Sequence, residues 1–181
     1  MLKYFLLIPF FLTNFFLLFG QNPYDDCSKA YFVNNVQDWC SDAAAFTVED
    51  ATPSKNSFSA CYDDLGKDIW LSFYGVASDV VIIIKPEDGH KVSASLYDGD
   101  CYIQMEILCQ EQQSGSDVLW MYKGGITQGH KYLLRIESKD VDPFTFSVCI
   151  NNYFSPPKEG SDCEKANLLC SKNSFVVNNV V

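Results

Sequence analysis

Eight cysteines stand behind an apolar N-terminal run, and no other feature of the 181-residue chain limits its fold as much. Lys3 precedes a hydrophobic stretch from Tyr4 to Phe19, interrupted by Pro9, Thr13 and Asn14 and closed by Gly20. That order reads as a secretory signal peptide over residues 1–20, cut between Gly20 and Gln21. The run is shorter than the roughly 18 to 20 residues a spanning helix needs, and Pro9 breaks it, so no membrane span is expected after cleavage. In an exported chain an even set of cysteines forms disulfides. The paired Cys-x-x-Cys or His-x-x-x-His spacings of a zinc site do not occur. Residue spacing suggests Cys101–Cys109 as a local bridge across eight residues. Cys40–Cys61 and Cys27–Cys149 are the favoured remainder, one choice among the fifteen that six cysteines allow. Cys163 and Cys170 fall near the end of the chain, to pair with each other or with a further domain.

From residue 30 to 150 short apolar runs alternate with turn residues, and no helical periodicity competes with them. The expected strands are 31–34, 45–49, 58–62, 69–74, 80–85, 92–97, 103–109, 118–122, 132–137 and 144–150, rich in aromatic and β-branched residues. Gly66, Gly75, Asp98-Gly99, Gly124-Gly125, Gly129 and Asp142-Pro143 punctuate them. This pattern predicts an all-β fold, an antiparallel jelly-roll-like β-sandwich stapled by disulfides. Tyr132, Leu134 and Ile136 share one strand face, as do Phe144, Phe146 and Val148, which turns Cys149 away from the core. The unbroken run Val80–Ile84 predicts a strand covered on both faces. The expected organisation is a sandwich over 21–152, a Pro- and Gly-containing linker over 153–161, and the start of a second, repeat-like domain over 162–181. The last rests on Asp162-Cys163-Glu164-Lys165-Ala166, which echoes Asp26-Cys27-Ser28-Lys29-Ala30.

Several short motifs occur in a fixed order: Asp68-Ile69-Trp70-Leu71-Ser72-Phe73, Leu96-Tyr97-Asp98-Gly99-Asp100-Cys101, Leu108-Cys109, Tyr132-Leu133-Leu134-Arg135-Ile136 and Phe146-Ser147-Val148-Cys149. Together with Cys27, Cys40 and Cys61, this order resembles the pre-peptidase C-terminal-like domains of Bacteroidetes secreted proteins over residues 26–150. The resemblance implies a jelly-roll-like module of multidomain surface proteins or secreted hydrolases, often in tandem and exported as type IX secretion cargo. It also implies a domain that is not itself the catalyst. One departure is Gln110-Glu111-Gln112-Gln113, where family members often carry an acidic segment. CUB domains are a weaker likeness, through their Asp-Gly turn and acidic calcium cluster.

The formal net charge of −10 argues against nucleic acid, which demands clustered Lys and Arg. Asp63, Asp64, Asp98 and Asp100 supply part of the roughly six to eight oxygens that calcium takes, although turn aspartates of this kind are more commonly just solvated. His90 and His130 sit beside turn glycines without a nucleophile motif, and neither a Gly-x-Ser-x-Gly elbow nor a His-Glu-x-x-His helix is present. Among the aromatics, Tyr102 and Trp120 are the candidates for a ligand-contact surface, while Trp70 is expected to be structural. The function expected is a noncatalytic binding, adhesion or spacer module of a larger secreted or cell-surface protein, contacting an extracellular protein or a glycan. The alternative is an accessory domain of a secreted peptidase or other hydrolase whose catalytic domain lies elsewhere in the chain.

Overall fold

Alternating apolar side chains build two facing sheets in this computed structural model, which describes residues 21–54, 59–61, 66–87, 89–140 and 142–155. After a short turn at Cys27–Lys29 come β1 (Tyr31–Phe32), β2 (Trp39–Cys40), β3 (Phe46–Thr47), β4 (Asp68–Tyr74) and β5 (Asp79–Pro86). These are followed by β6 (Val92–Gly99), β7 (Gln104–Glu111), β8 (Leu119–Gly124), β9 (Lys131–Ser138) and β10 (Thr145–Tyr153). The first sheet runs β1-β4-β9-β6-β7; the second runs β2-β10-β5-β8, with β3 also paired to β10. Only β1 joins its neighbour in parallel. From β4 onward the chain switches sheets at almost every connection, the β6–β7 hairpin being the exception. This gives the jelly-roll-like sandwich expected.

Between the sheets, Ile69, Leu71 and Phe73 of β4 and Leu134 and Ile136 of β9 meet Val80, Ile82 and Ile84 of β5 and Phe146, Val148 and Ile150 of β10. Each such side chain, removed from water, favours folding by about 1.5 to 3 kcal/mol. A second buried cluster of Trp70, Tyr97 and Leu133 lies on the opposite face of the first sheet. There Cys27, Ala30 and Cys101 pack over it, so the N-terminal segment roofs a face that a plain sandwich leaves wet.

Three expectations are corrected. The bridges are Cys27–Cys101, Cys40–Cys149 and Cys61–Cys109, with Cα separations of 5.7, 4.0 and 5.7 Å. Cys101 does not pair with Cys109, because Cys101 sits in the hairpin loop whereas Cys109 lies well along β7, opposite Ser95. From Gln104 to Cys109 the strand alone covers about 17 Å, well past the roughly 7 Å Cα limit of a bridge. Cys40–Cys61 and Cys27–Cys149 fail with it. Cys149 does point away from the core, and on that outer face its partner is the directly opposed Cys40 of β2. Next, residues 59–61 run outside any strand, while the short β2 replaces it in the count. Finally, β5 is not covered on both faces: Val80, Ile82 and Ile84 are buried, but Val81 and Ile83 on the outer side are only half-buried. The expected leader, Asp63, Asp64, the linker beyond Ser155 and the repeat-like segment 162–181 with Cys163 and Cys170 lie outside the described residues.

Candidate functional site

Strand register brings separate motifs of the sequence together. Asp68 stands opposite Glu137, Trp70 opposite Arg135, and Arg135 opposite Ser95, so residues from β4, β9 and β6 meet on one outer face. Arg135 donates from Nη2 to Asp68 Oδ2 at 2.7 Å and lies 3.6 Å from Glu137 Oε2; its guanidinium is 6.0 Å from the Trp70 ring centroid. The Ser54 hydroxyl donates to Asp68 Oδ1 at 2.6 Å and accepts from Trp70 Nε1 at 3.0 Å. The Gly66 N–H donates to Glu137 Oε1 at 2.6 Å. Burial pushes both carboxyls above their usual values, with Arg135 pulling the other way. Arg135, Asp68 and Glu137 expose 2%, 0% and 1% of their surface, so no substrate reaches them. Trp70 is structural as expected, though it belongs to this outer cluster rather than to the sandwich interior.

Of the candidate metal residues, Asp98 and Asp100 are among the described residues, and each is engaged separately. Asp98 faces His130, with Oδ1 3.3 Å from Nδ1. Asp100 is turned into its own loop, accepting from the Tyr102 and Ile103 N–H groups at 2.9 and 3.1 Å, which lowers its pKa. Among the described residues no group of three or more His, Cys, Asp or Glu is placed to hold a metal ion. His90 stacks on Phe144, ring centroids 4.5 Å apart, with Asp140 at 3.2 Å.

Tyr102 and Trp120 are both exposed but occupy different places. Tyr102, 91% exposed, tips the β6–β7 hairpin at the rim of a polar cleft lined by Asp25, Asp26, Thr52 and Trp70. The cleft is occupied by its own contacts: Thr52 donates to Asp25 through both backbone and hydroxyl, and Asp26 accepts from Ser28. Trp120 lies on the outer face of the second sheet, where the register sets Cys149, Ile83 and Trp120 in one row and Asn151, Val81 and Tyr122 in the next. Trp120 is 54% and Tyr122 45% exposed, and their rings are nearly parallel at 16° with centroids 6.3 Å apart.

Tyr122 is held in place. Its hydroxyl donates to Asp79 Oδ1 at 2.6 Å, and the Ser78 hydroxyl donates to Oδ2 at 2.5 Å. The Ser78 and Tyr122 bonds bring the Asp79 pKa down to about 2, and the bond to Asp79 raises that of Tyr122. Trp120 and Tyr122 line a groove of about 460 Å³ together with Gln110 and Glu111 of β7 and Gln113 and Ser116 of the following loop. The alternation Leu119-Trp120-Met121-Tyr122 carried the signal that pairs Tyr122 with Trp120 on one face, whereas nothing local pointed to Asp79 as its anchor.

No helix among the described residues is long and apolar enough to cross a membrane. No protein-family model matches this chain, and no curated protein matches it. Among solved structures it is similar to the pre-peptidase C-terminal domain of collagenase from Bacillus anthracis, at 13% identity, over 67% of this chain and 93% of that chain, with a TM-score of 0.40.

Proposed function

We propose that this chain is a noncatalytic contact module of a larger secreted or cell-surface protein. The observation that carries it is the contrast between the two outer faces. The Asp68–Arg135–Glu137 cluster of the first is sealed and mutually paired, while the second presents Trp120 and the hydrogen-bonded Tyr122 to solvent. Exposed Trp and Tyr with one end anchored suit contact surfaces, because a large area is offered at small entropic cost. Three disulfides fit an oxidising, extracellular setting. Further domains of the same chain would carry any chemistry.

The order of the motifs favours a second reading within the same class, an accessory domain of a secreted peptidase. One experiment addresses both. The purified chain, bridges intact, is incubated with casein, gelatin and soluble polysaccharides. No peptide or reducing sugar is released, while Trp120→Ala with Tyr122→Ala lowers retention on an immobilised substrate without loosening the fold. Hydrolysis that disappears on changing one carboxylate would overturn the module reading. Retention on gelatin alone favours the peptidase accessory.

A further inference from the structure

We infer that the groove between β7 and β8 is a binding site for a neutral oligosaccharide, a reading that rests on the contact-module function and gives it a ligand class. Three independent features of the groove converge on that chemistry. The first is its wall. Trp120 and Tyr122 present nearly parallel rings at the exposed edge of the second sheet. An aromatic face carries negative charge density, and the C–H side of a pyranose is apolar with weakly positive hydrogens, so the two stack. Because Tyr122 donates its hydroxyl to Asp79, the ring is oriented before any ligand arrives. Binding therefore forfeits little rotamer freedom.

The second feature is its polar lining. Gln110, Glu111, Gln113 and Ser116 line the groove together with the rings. A glutamine amide both donates and accepts, which matches sugar hydroxyls that do the same. The loop bearing these groups is itself braced. Gln112 accepts from the Val92 N–H at 3.2 Å and donates to the Ser116 carbonyl at 2.7 Å, and Lys91 Nζ donates to that same carbonyl at 3.1 Å. The Ser116 hydroxyl in turn donates to the Val118 carbonyl at 2.7 Å. A volume of about 460 Å³ falls in the range of small-molecule sites, roughly 300 to 1,000 Å³.

Charge supplies the third. No Lys, Arg or His among the described residues lines the groove, and Glu111 is paired with Lys139 at 3.1 Å outside it. With a net charge of −10 on the chain, uronic or sulfated glycans meet repulsion, while Lys91 and Lys139 are already engaged with the Ser116 carbonyl and Glu111. A neutral glycan meets no such repulsion. A purely apolar partner is also disfavoured, because it would leave the amides of Gln110 and Gln113 without hydrogen bonds.

The test is calorimetric titration of the full chain with neutral gluco-, xylo-, manno- and N-acetylglucosamine oligomers, and with galacturonan and heparin fragments as charged counterparts. At least one neutral series binds, with affinity rising with oligomer length, and the charged series do not. Trp120→Ala weakens binding about tenfold, equivalent to losing one stacked aromatic face. Gln113→Ala, a change in an exposed loop that cannot disturb the core, weakens it severalfold. Tyr102→Ala, in the other cleft, leaves it unchanged. Near-UV circular dichroism confirms that each variant is folded. The inference is overturned if no neutral oligomer binds at millimolar concentration, if binding survives both Trp120→Ala and Gln113→Ala, or if the charged oligomers bind equally well. Should gelatin peptides bind through Trp120 when no glycan does, the glycan assignment falls and the contact-module reading stands. Turnover of the bound oligomer would instead remove the noncatalytic reading.

Discussion

At the scale of single residues, the buried trio of Asp68, Arg135 and Glu137 is the most sensitive point of the structure. Removing Arg135 strands two carboxylates in a place water cannot reach. Arg135→Leu is expected to cost about 3 to 5 kcal/mol in urea unfolding. Replacing all three by apolar residues of similar volume should cost far less, since no charge is then left unpaired. The acid response has two opposed parts. Burial raises the pKa of Asp68 and Glu137 in the fold, so their ionisation opposes folding, and that opposition is relieved as pH falls through their folded values. Asp79 behaves oppositely, its folded pKa being held down to about 2. Its contribution is fully present above the ordinary carboxylate value and is lost as pH falls towards 2. Asp79→Asn should therefore flatten the loss of stability between pH 4 and pH 2, as read from urea midpoints at each pH. Of these roles, Trp70 as a structural residue was legible because its strand was unmistakable. The ionic trio was not, since Asp68 and Arg135 are separated by 67 residues and meet only through strand register.

Among the elements, every strand but β2 was legible, the two-residue β1 and β3 lying within the expected 31–34 and 45–49. β9 declares itself by Tyr132, Leu134 and Ile136 at alternate positions, and β6 and β10 by comparable patterns. β2 contains only Trp39 and Cys40, too few residues to show any period, and it exists because Cys149 and Ile150 of β10 pair with it. The run Val80–Ile84 misled for a physical reason. Continuous apolar sequence signals two faces shielded from water, and here the outer one, Val81 and Ile83, is only half-buried among the described residues. The cysteine pairing misled because closeness in sequence stood in for closeness in space. Asp98-Gly99 was expected to form the turn, whereas both residues close β6 opposite Met105 and Gln104 and the loop follows at 100–103. The glycine is still required there, since φ is +119° and an added Cβ would lie 2.0 Å from the Ile103 carbonyl oxygen. Gly99→Ala is expected to destabilise by more than about 1 kcal/mol and to loosen the hairpin that carries Cys101 and Tyr102, seen as faster amide exchange at Gln104–Glu106.

For the whole molecule, the covalent framework ties the segment before β4 to the β6–β7 hairpin and to the last strand, β10. Peptide mapping under non-reducing conditions should recover Cys27–Cys101, Cys40–Cys149 and Cys61–Cys109, and recovery of a Cys101–Cys109 peptide would contradict the structure. Substituting Cys40 and Cys149 by Ser should cost about 2 to 5 kcal/mol in global stability, because the bridge closes a long loop in the unfolded chain. The Cys40–Cys149 bridge also has a mechanical meaning. A chain pulled from the two ends of this sandwich transmits tension through the sulfurs and bypasses the 109-residue stretch they enclose. The domain then acts as a rivet in a tether rather than a spring. Stretched in a single-molecule pulling experiment, it should yield only its flanks until a reductant is added, whereupon roughly 360 to 390 Å of hidden length is released.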